Sequence, residues 1–434
     1  VVLMKEIGIG LLGFGTVGAG VVEGLQKNGD LLVGRVGARL VLRKIADIDL
    51  ERDRGVKVDR AILTKDALAV VRDPSVDVVV ELIGGCTIAK ELILEALKLG
   101  KPVVTANKAL LAEHGQEIFG AAEKSGAALY CEASVGGGIP VIKALREGLI
   151  GNEIQSICGI LNGTCNYILT QMEREHIPFK KALKEAQEQG YAEAEPSLDI
   201  DGLDTAHKAV VLASLAYGFP VPMNAVHVEG IRSIDQVDIL NAGKMGYRVK
   251  LLALIKRVDG EVEVRVNPTL VPLDHMLASV NGVFNAIQVS GDIVGDTLYY
   301  GRGAGRAATS SAVIGDLADV ARRLMSGCKD APVRVQSDAQ GRLRSMDEIE
   351  SRYYLRLMLL DKPGMLARVA QILGKNQIGI ASVMQPEARK GEHVPVLIVT
   401  HDAKEKDFRA ALQEIDALDV VSAKTVRLRI EDFR

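Results

Sequence analysis

Residues 6–18, Glu6-Ile7-Gly8-Ile9-Gly10-Leu11-Leu12-Gly13-Phe14-Gly15-Thr16-Val17-Gly18, decide how the rest of the chain is read. The first seven form an apolar run of strand length, which predicts a buried strand over Glu6–Leu12. Gly13, Gly15 and Gly18 follow as GxGxxG, and helical spacing begins inside the motif (TVGAGVVEGLQKN). GxGxxG alone is a weak signal; between a strand and a helix it is far stronger. The first Gly permits the tight turn, the second lets backbone approach a pyrophosphate, and the third lets helix and strand pack closely. The helix start then offers free N–H groups to phosphate. Gly13, Phe14, Gly15, Thr16, Val17 and Gly18 are therefore the expected dinucleotide residues. A ligand-free strand–helix turn is the plainer alternative.

Working outward, a second strand over 39–45 (RLVLRKI) ends at Ala46-Asp47-Ile48-Asp49. A carboxylate there accepts the ribose 2′-OH of NAD, whereas an arginine accommodates the phosphate of NADP. Asp47 and Asp49 favour NAD, with Arg43 and Lys44 close by; simple loop polarity is the alternative. Residues 77–83 (DVVVELI) read as another buried strand. Gly84-Gly85-Cys86-Thr87 is its carboxyl-end turn, so Thr87 joins the expected cofactor residues. A helix (AKELILEALKLG) and a short strand over 101–105 lead to Asn107-Lys108. Ligands bind outside the carboxyl ends of strands in such sheets, which turns Lys108 toward cofactor or substrate. Strands alternating with helices predict a parallel, doubly wound α/β sheet over residues 1–140.

A second stretch carries chemistry: Gly190-Tyr191-Ala192-Glu193 through Asp199, Asp201, Asp204 and Lys208. It starts as a Gly-bearing acidic loop and ends as a helix (DTAHKAVVLASL). Asp204 and Lys208 are four apart and share one helix face. A capping Asp and a solvated salt bridge would explain that pair alone. Glu193, Asp199 and Asp201 before it suggest more, because a lysine amine held against a carboxylate is a positioned proton donor and acceptor. Glu132-Ala133-Ser134-Val135-Gly136-Gly137-Gly138-Ile139-Pro140 cannot be ordinary helix or strand. It reads as a hinge whose exposed carbonyls are of the kind a hard cation binds. Asn162-Gly163-Thr164-Cys165-Asn166 stands between a strand over 157–161 and a helix. Gly301-Arg302-Gly303-Ala304-Gly305 is a second glycine loop, where Gly303 lets a phosphate or nicotinamide approach. The helix after it (SAVIGDLADVARRLM) is long and amphipathic and is expected to return to the first domain.

The 434 residues suggest two or three domains. A 48% hydrophobic content allows a substantial core, and a net charge of −3 gives no electrostatic case for nucleic acid. No apolar run reaches 18 residues, so no membrane span is expected, and the start lacks a signal-peptide pattern. Cys86, Cys131, Cys158, Cys165 and Cys328 are scattered without CxxC, which reads as reduced thiols in a cytoplasmic protein without structural zinc. Residues 141–305 form a mixed α+β region, 306–330 the returning helix and 331–350 a polar linker. Residues 351–434 start afresh in the order βαββαβ, the ferredoxin-like plan. Its strands include 354–360, 382–387 and 395–401.

The segments GLLGFGTVG, VTANKALLA, SVGGGIPVI, LNGTCNYIL, GYAEAEPSLDIDGLDTAHK and GRGAGRAATSSAV, in this order, resemble the homoserine dehydrogenases of the long, single-function kind. YLRLMLLDKPGMLARVAQIL resembles the opening of an ACT regulatory domain. The resemblance spans nearly the whole chain. It implies NAD- or NADP-dependent reduction of L-aspartate 4-semialdehyde to L-homoserine, in the branch leading to threonine, methionine and isoleucine. Lys208 matches the proton-transfer lysine, Asp204 and Asp199 its acidic neighbours, and Lys108 the lysine between cofactor and substrate. Glu193 matches the binder of the substrate amino group, with Tyr191 and Thr164 beside it at the substrate. Glu132, Val135, Gly137 and Ile139 match a monovalent-cation site, for sodium or potassium. Asp361, Gly364, Met365 and Leu366 form the expected effector site, with threonine as effector. A homodimer or homotetramer is expected. Many members carry an arginine where this chain has Ala46, which leaves NAD and NADP both open. Two other readings stay open here: a semialdehyde dehydrogenase acylated on Cys131 or Cys165, and a sensor that binds nucleotide and amino acid without catalysis.

Overall fold

The computed structural model describes residues 4–327, 335, 339–385 and 392–433. Cys328, part of the expected linker and the end of the expected strand over 382–387 lie outside the described residues. Six parallel strands form the first sheet: β1 (Glu6–Leu12), β2 (Arg39–Ala46), β3 (Leu63–Thr64), β4 (Val78–Glu81), β5 (Val103–Thr105) and β6 (Leu129–Tyr130). Their order is β3-β2-β1-β4-β5-β6. The order reverses beside β1, which puts the crevice at the carboxyl end of β1 and β4. β1 is buried from its second residue on, because helices cover both faces.

The helix Thr16–Val36 begins directly after β1. Against it lies the helix Arg306–Ser326, which starts 270 residues after Val36 in sequence, yet in space the two helices touch through glycines. A Cβ on Gly20 would sit 2.9 Å from Arg306 Cγ, and one on Gly24 would sit 2.4 Å from Ile314 Cδ1. Val313, Leu317, Val320 and Ala321 of the returning helix share one buried cluster with Ile7, Ile9 and Leu11 of β1.

The second sheet combines the middle of the chain with its C-terminal unit. Its strands are β7 (Ile154–Ile160), β8 (His227–Val228), β9 (Tyr247–Val258), β10 (Glu261–Pro272), β11 (Phe284–Gly291), β12 (Gly295–Arg302), β13 (Glu350–Leu360), β14 (Ile380–Met384), β15 (His393–Thr400), β16 (Ala403–Lys404) and β17 (Val426–Ile430). The main path runs β12-β11-β7-β9-β10-β17-β13-β15-β14. Within the C-terminal unit the order is β17-β13-β15-β14, all antiparallel, with helices Met365–Lys375 and Glu405–Asp416 between strands. This is the ferredoxin-like order expected from βαββαβ. The unit does not stand apart, however. β17 pairs in parallel with β10 through Thr269↔Arg429 and Leu270↔Ile430, so one sheet crosses from the middle region into it. The described part of the expected linker also docks: Val262 N–H donates to the Arg342 carbonyl at 2.8 Å, and Arg344 N–H to the Val262 carbonyl at 2.9 Å.

Candidate active site

At the end of β1 each glycine has a steric reason. Gly13 has φ +93°, and a Cβ there would lie 2.6 Å from the Leu82 carbonyl. A Cβ on Gly18 would lie 2.2 Å from the Gly13 carbonyl oxygen, so the helix can pack this close only without one. Gly15 is the N-cap and has no side chain to satisfy the first N–H groups of Thr16–Val36, leaving them for a ligand. The loop is pinned from β2. Asp47 Oδ2 accepts the Phe14 N–H at 2.6 Å, and Asp47 Oδ1 pairs with Arg54 at 3.1 Å. Arg54 also donates to the Phe14 carbonyl and lies over the Phe14 ring at 4.9 Å. Asp47 thus holds the glycine loop as well as facing the crevice, a double duty that sequence position alone does not reveal. A cavity of about 680 Å³ opens here, lined by Gly13, Gly15, Thr16, Asp47, Asp49 and Arg306 among others. Its volume, its uncapped helix start and the Asp47 carboxylate fit a dinucleotide. Arg43, expected near the ribose, instead pairs with Glu6 at 2.6 Å.

Glu81, the last residue of β4, organises the neighbouring crevice wall. It is fully buried and accepts N–H groups of Ile83 (2.9 Å) and Gly84 (3.1 Å) and the Thr105 hydroxyl (2.6 Å). Thr105 Oγ1 in turn accepts the Asn107 N–H at 3.0 Å. Asn107 donates from its amide to the Gly85 carbonyl at 2.7 Å and caps the Lys108–Ser125 helix through Leu110 N–H. This network fixes the turn carrying Thr87 and the start of the helix carrying Lys108. Sequence reasoning passed over Glu81; its one signal is a carboxylate ending an otherwise apolar buried strand. Thr87 itself sits exposed at the N-cap of Ile88–Lys98 and makes no side-chain capping bond.

From Lys108 the site reaches the second stretch. Asp204 bridges two lysines: Lys108 Nζ lies 3.1 Å from Oδ1, and Lys208 Nζ donates to Oδ2 at 2.6 Å. Lys208 also donates to the Leu161 carbonyl at 2.7 Å. Both Asp204 and Lys208 are 8% exposed, so the solvated-pair reading fails. Asn162 donates from one amide nitrogen to Asp199 (2.7 Å) and Asp204 (2.9 Å), while its Oδ1 caps the Gly163–Arg174 helix at Cys165 N–H. Burial opposes the charge on Asp204, but Lys208 and then Lys108 outweigh it and hold the carboxyl well below the usual range. Burial, then the Asp204 charge, pushes Asp199 up. The two carboxylates therefore differ in proton affinity although they share one amide donor.

Thr164 donates its hydroxyl to the Tyr191 carbonyl at 2.7 Å, tying the acidic loop to the start of the Gly163–Arg174 helix. Tyr191 and Glu193 are exposed on that loop. Among the described residues the Glu193 carboxylate has no protein partner, whereas its carbonyl accepts from Gln187 at 3.1 Å. Cys131 and Cys165 are fully buried, and burial pushes the Cys131 thiol up to about 12 and that of Cys165 well above its ordinary value. Neither suits a nucleophile, which removes the acylating reading.

The two glycine loops meet. A Cβ on Gly137 would lie 2.5 Å from the Gly303 carbonyl carbon, and one on Gly303 would lie 2.0 Å from Asn285 Nδ2. The Asn285 amide is buried there without a hydrogen-bond partner among the described residues. Glu132 spends its carboxylate on the N–H groups of Ile142 (2.9 Å) and Lys143 (2.6 Å), so only its carbonyl would face a cation. Of the four expected carbonyls, that of Glu132 accepts a long 3.4 Å bond from Val135 and that of Ile139 accepts Val141 N–H at 2.8 Å. No side-chain cluster of His, Cys, Asp or Glu suited to a metal occurs among the described residues. Any cation here would be held by backbone oxygen, as sodium or potassium can be. In the C-terminal unit, Gly364 (φ +88°) is the N-cap of Met365–Lys375 without a side-chain bond, and Asp361 accepts from Gln385 at 3.1 Å. No helix among the described residues is long and apolar enough to cross a membrane.

Comparison with known proteins agrees with this geometry. Residues 13–132 match the family profile described as homoserine dehydrogenase, NAD binding domain, residues 140–318 that of homoserine dehydrogenase, and residues 353–420 that of the ACT domain. A homoserine dehydrogenase of Pseudomonas aeruginosa is 44% identical, covering 99% of this chain and all of the relative. The crystal structure of a homoserine dehydrogenase from Thiobacillus denitrificans superposes with a TM-score of 0.93 at 42% identity, covering 99% of both chains. A hyperthermophilic archaeal homoserine dehydrogenase in complex with NADPH is similar at 27% identity and a TM-score of 0.62, over 74% of this chain and 98% of that one.

Proposed function

This chain belongs to the homoserine dehydrogenase family of NAD(P)-dependent oxidoreductases, and from that premise we propose how its residues divide the work. The reading as a sensor without catalysis falls with the family. Lys208, Asp204 and Lys108 carry the catalysis in the interconversion of L-aspartate 4-semialdehyde and L-homoserine. The observation that carries this is the Asp204 carboxylate shared between Lys108 on the cofactor side and Lys208 on the substrate side. The nicotinamide ring, when bound, supplies or takes the hydride. Lys208 as an ammonium gives its proton to the developing alkoxide, and as a neutral amine takes the hydroxyl proton in reverse. Asp204 orients the amine and favours its charged form. Glu193, whose carboxylate has no protein partner among the described residues, pairs with the substrate α-ammonium and selects an amino acid over a plain aldehyde. Asp199, Tyr191 and Thr164 shape the same loop.

Gly13, Phe14, Gly15, Thr16, Val17, Gly18, Asp47, Thr87 and Gly303 hold the dinucleotide. The carbonyls of Glu132, Val135, Gly137 and Ile139 hold sodium or potassium; the two glycine loops in contact, with a buried amide short of partners, support this. Threonine binds at Asp361, Gly364, Met365 and Leu366, where an uncapped helix start suits a carboxylate. The enzyme works in the cytoplasm as a homodimer or homotetramer, in the branch leading to threonine, methionine and isoleucine. NAD(P)H oxidation on adding aspartate semialdehyde tests the reaction. No oxidation with the amino-acid substrate, alongside turnover of a plain aldehyde, would overturn the role of Glu193.

A further inference from the structure

The substrate loop is held from behind by a short strap, residues 229–232, whose far end is gripped by the C-terminal unit. Glu229 Oε1 accepts from His227 (2.7 Å), Arg427 (3.0 Å) and Arg429 (3.1 Å), and Oε2 accepts from Arg429 at 2.9 Å. Arg429 is almost fully buried on β17 and also binds Glu405, with Nε to Oε2 at 3.0 Å and Nη2 to Oε1 at 2.8 Å. Glu405 opens the helix Glu405–Asp416 and accepts the Tyr353 hydroxyl at 2.7 Å, so the grip is anchored in the core of that unit.

At its other end the strap lies on the loop that carries the acidic residues. A Cβ on Gly230 would be 2.2 Å from the Ile200 carbonyl oxygen and 2.5 Å from Asp201 Cα. Ile231 N–H donates to the Ile200 carbonyl at 2.8 Å. Arg232 clasps Asp201 through Nε and Nη2 and reaches Ser197 Oγ at 2.7 Å. Ile200 adjoins Asp199, whose carboxylate shares the Asn162 amide with Asp204.

We infer that Glu229 is a positioning residue for this reaction: through Gly230 and Arg232 it sets the place of Asp199 and the substrate loop, with its carboxylate fixed by Arg427 and Arg429. This rests on the assignment of the Asp199–Asp204–Lys208 pocket to substrate. Charge-assisted, bidentate contacts hold geometry more tightly than neutral ones, so the loop's position depends on a unit whose described residues supply no group to the pocket.

The test uses the full chain. Glu229→Gln and Arg232→Met should each raise the KM for homoserine about tenfold while kcat and the KM for dinucleotide stay within about twofold. Because the two residues act in series, the double variant should be no worse than the worse single one. Penalties that multiply, or an unchanged KM with only a lowered Tm, would overturn the inference. Arg232 is half exposed, so Arg232→Met decides alone if Glu229→Gln does not fold. Failure of the pocket assignment itself would show separately, as a Lys208→Ala enzyme that keeps its kcat.

Discussion

At the dinucleotide loop, position is set by side chains that are missing: Gly13 and Gly18 leave 2.6 Å and 2.2 Å where a Cβ would go. In the lysine pocket it is set by side chains that are present and charged, with Asp204 between Lys108 and Lys208 and Asn162 between two carboxylates. The first device is local, six residues long and read by backbone. The second gathers groups from residues 108, 162, 199, 204 and 208. A loop built on backbone should fail by steric exclusion, with charge entering only through the Asp47–Arg54 pin, whereas a pocket built on charge should fail by chemistry.

The largest effect expected from that contrast is at the pocket. Lys208→Ala should lower kcat by about 10²-fold or more, the range for a lost general acid–base group, with dinucleotide affinity unchanged. Near-normal kcat in steady-state assays would take Lys208 out of the mechanism. Gly18→Ala should do the reverse. Forcing a methyl group against the Gly13 carbonyl costs about 1–3 kcal/mol, visible as weaker dinucleotide binding by titration and a lower Tm. A variant that binds normally would mean the helix can slide, and that the close approach is not required.

The contrast was also unequal in the sequence. The glycine loop could be read because spacing within one short segment encodes it, and the 4-1-3-2 order of the C-terminal unit could be expected from its element order. Lys208 and Asp204 could be paired because a helix turn separates them. Glu81 and Asn162 could not be given their roles, since each acts on atoms from another strand or helix: Thr105 for one, Asp199 and Asp204 for the other. The grip of Arg429 on Glu229 joins residues 200 positions apart, and no periodicity reports such a pair. For the same reason the sequence does not report that β17 lies between β10 and β13 and joins the C-terminal unit to the second sheet.

Cofactor preference sharpens the comparison where charge enters the backbone-built loop. Asp47 should let NAD(H) serve at least as well as NADP(H) in parallel kinetics. A 100-fold preference for NADPH, on the order seen when a phosphate gains ionic partners, would instead assign its phosphate to Arg52 and Lys65 on the cavity wall. Arg43 would not explain it, being paired with Glu6. The effector reading is tested by adding threonine to the full chain and to Gly364→Val. Inhibition that persists in the variant would move the effector elsewhere. Removing the whole unit is a poorer test than it looks, because Glu229 and the buried Arg265 would lose Arg429 and Glu431.

The smallest effect expected is on acid stability. Burial raises the Glu229 carboxyl, but His227 and Arg429 outweigh it and hold it below its ordinary 4.5. Its contribution is therefore present above about pH 4.5 and is lost as pH falls below that. Glu229→Gln should flatten the fall in stability on acidification, measured by denaturant midpoints between pH 6 and pH 3. An unchanged slope would mean that Glu229 keeps its charge partners in the unfolded chain as well.

The parallel pairing of β10 with β17 has a consequence during synthesis. β10 ends at Pro272 and β17 at Ile430, so the hydrophobic edge of a strand that the ribosome has already released must wait for its partner. At ordinary elongation rates of about 5–20 residues per second, the delay over about 160 residues is roughly 10–30 s. Through that interval β8 covers β10 only at Arg265 and Val266, and the stretch at Thr269 and Leu270 is an open edge of the kind that templates association between nascent chains. Polysomes crowded on one message, or a pause in the last third of the gene, would therefore draw holdase chaperones to this protein more than its final stability suggests.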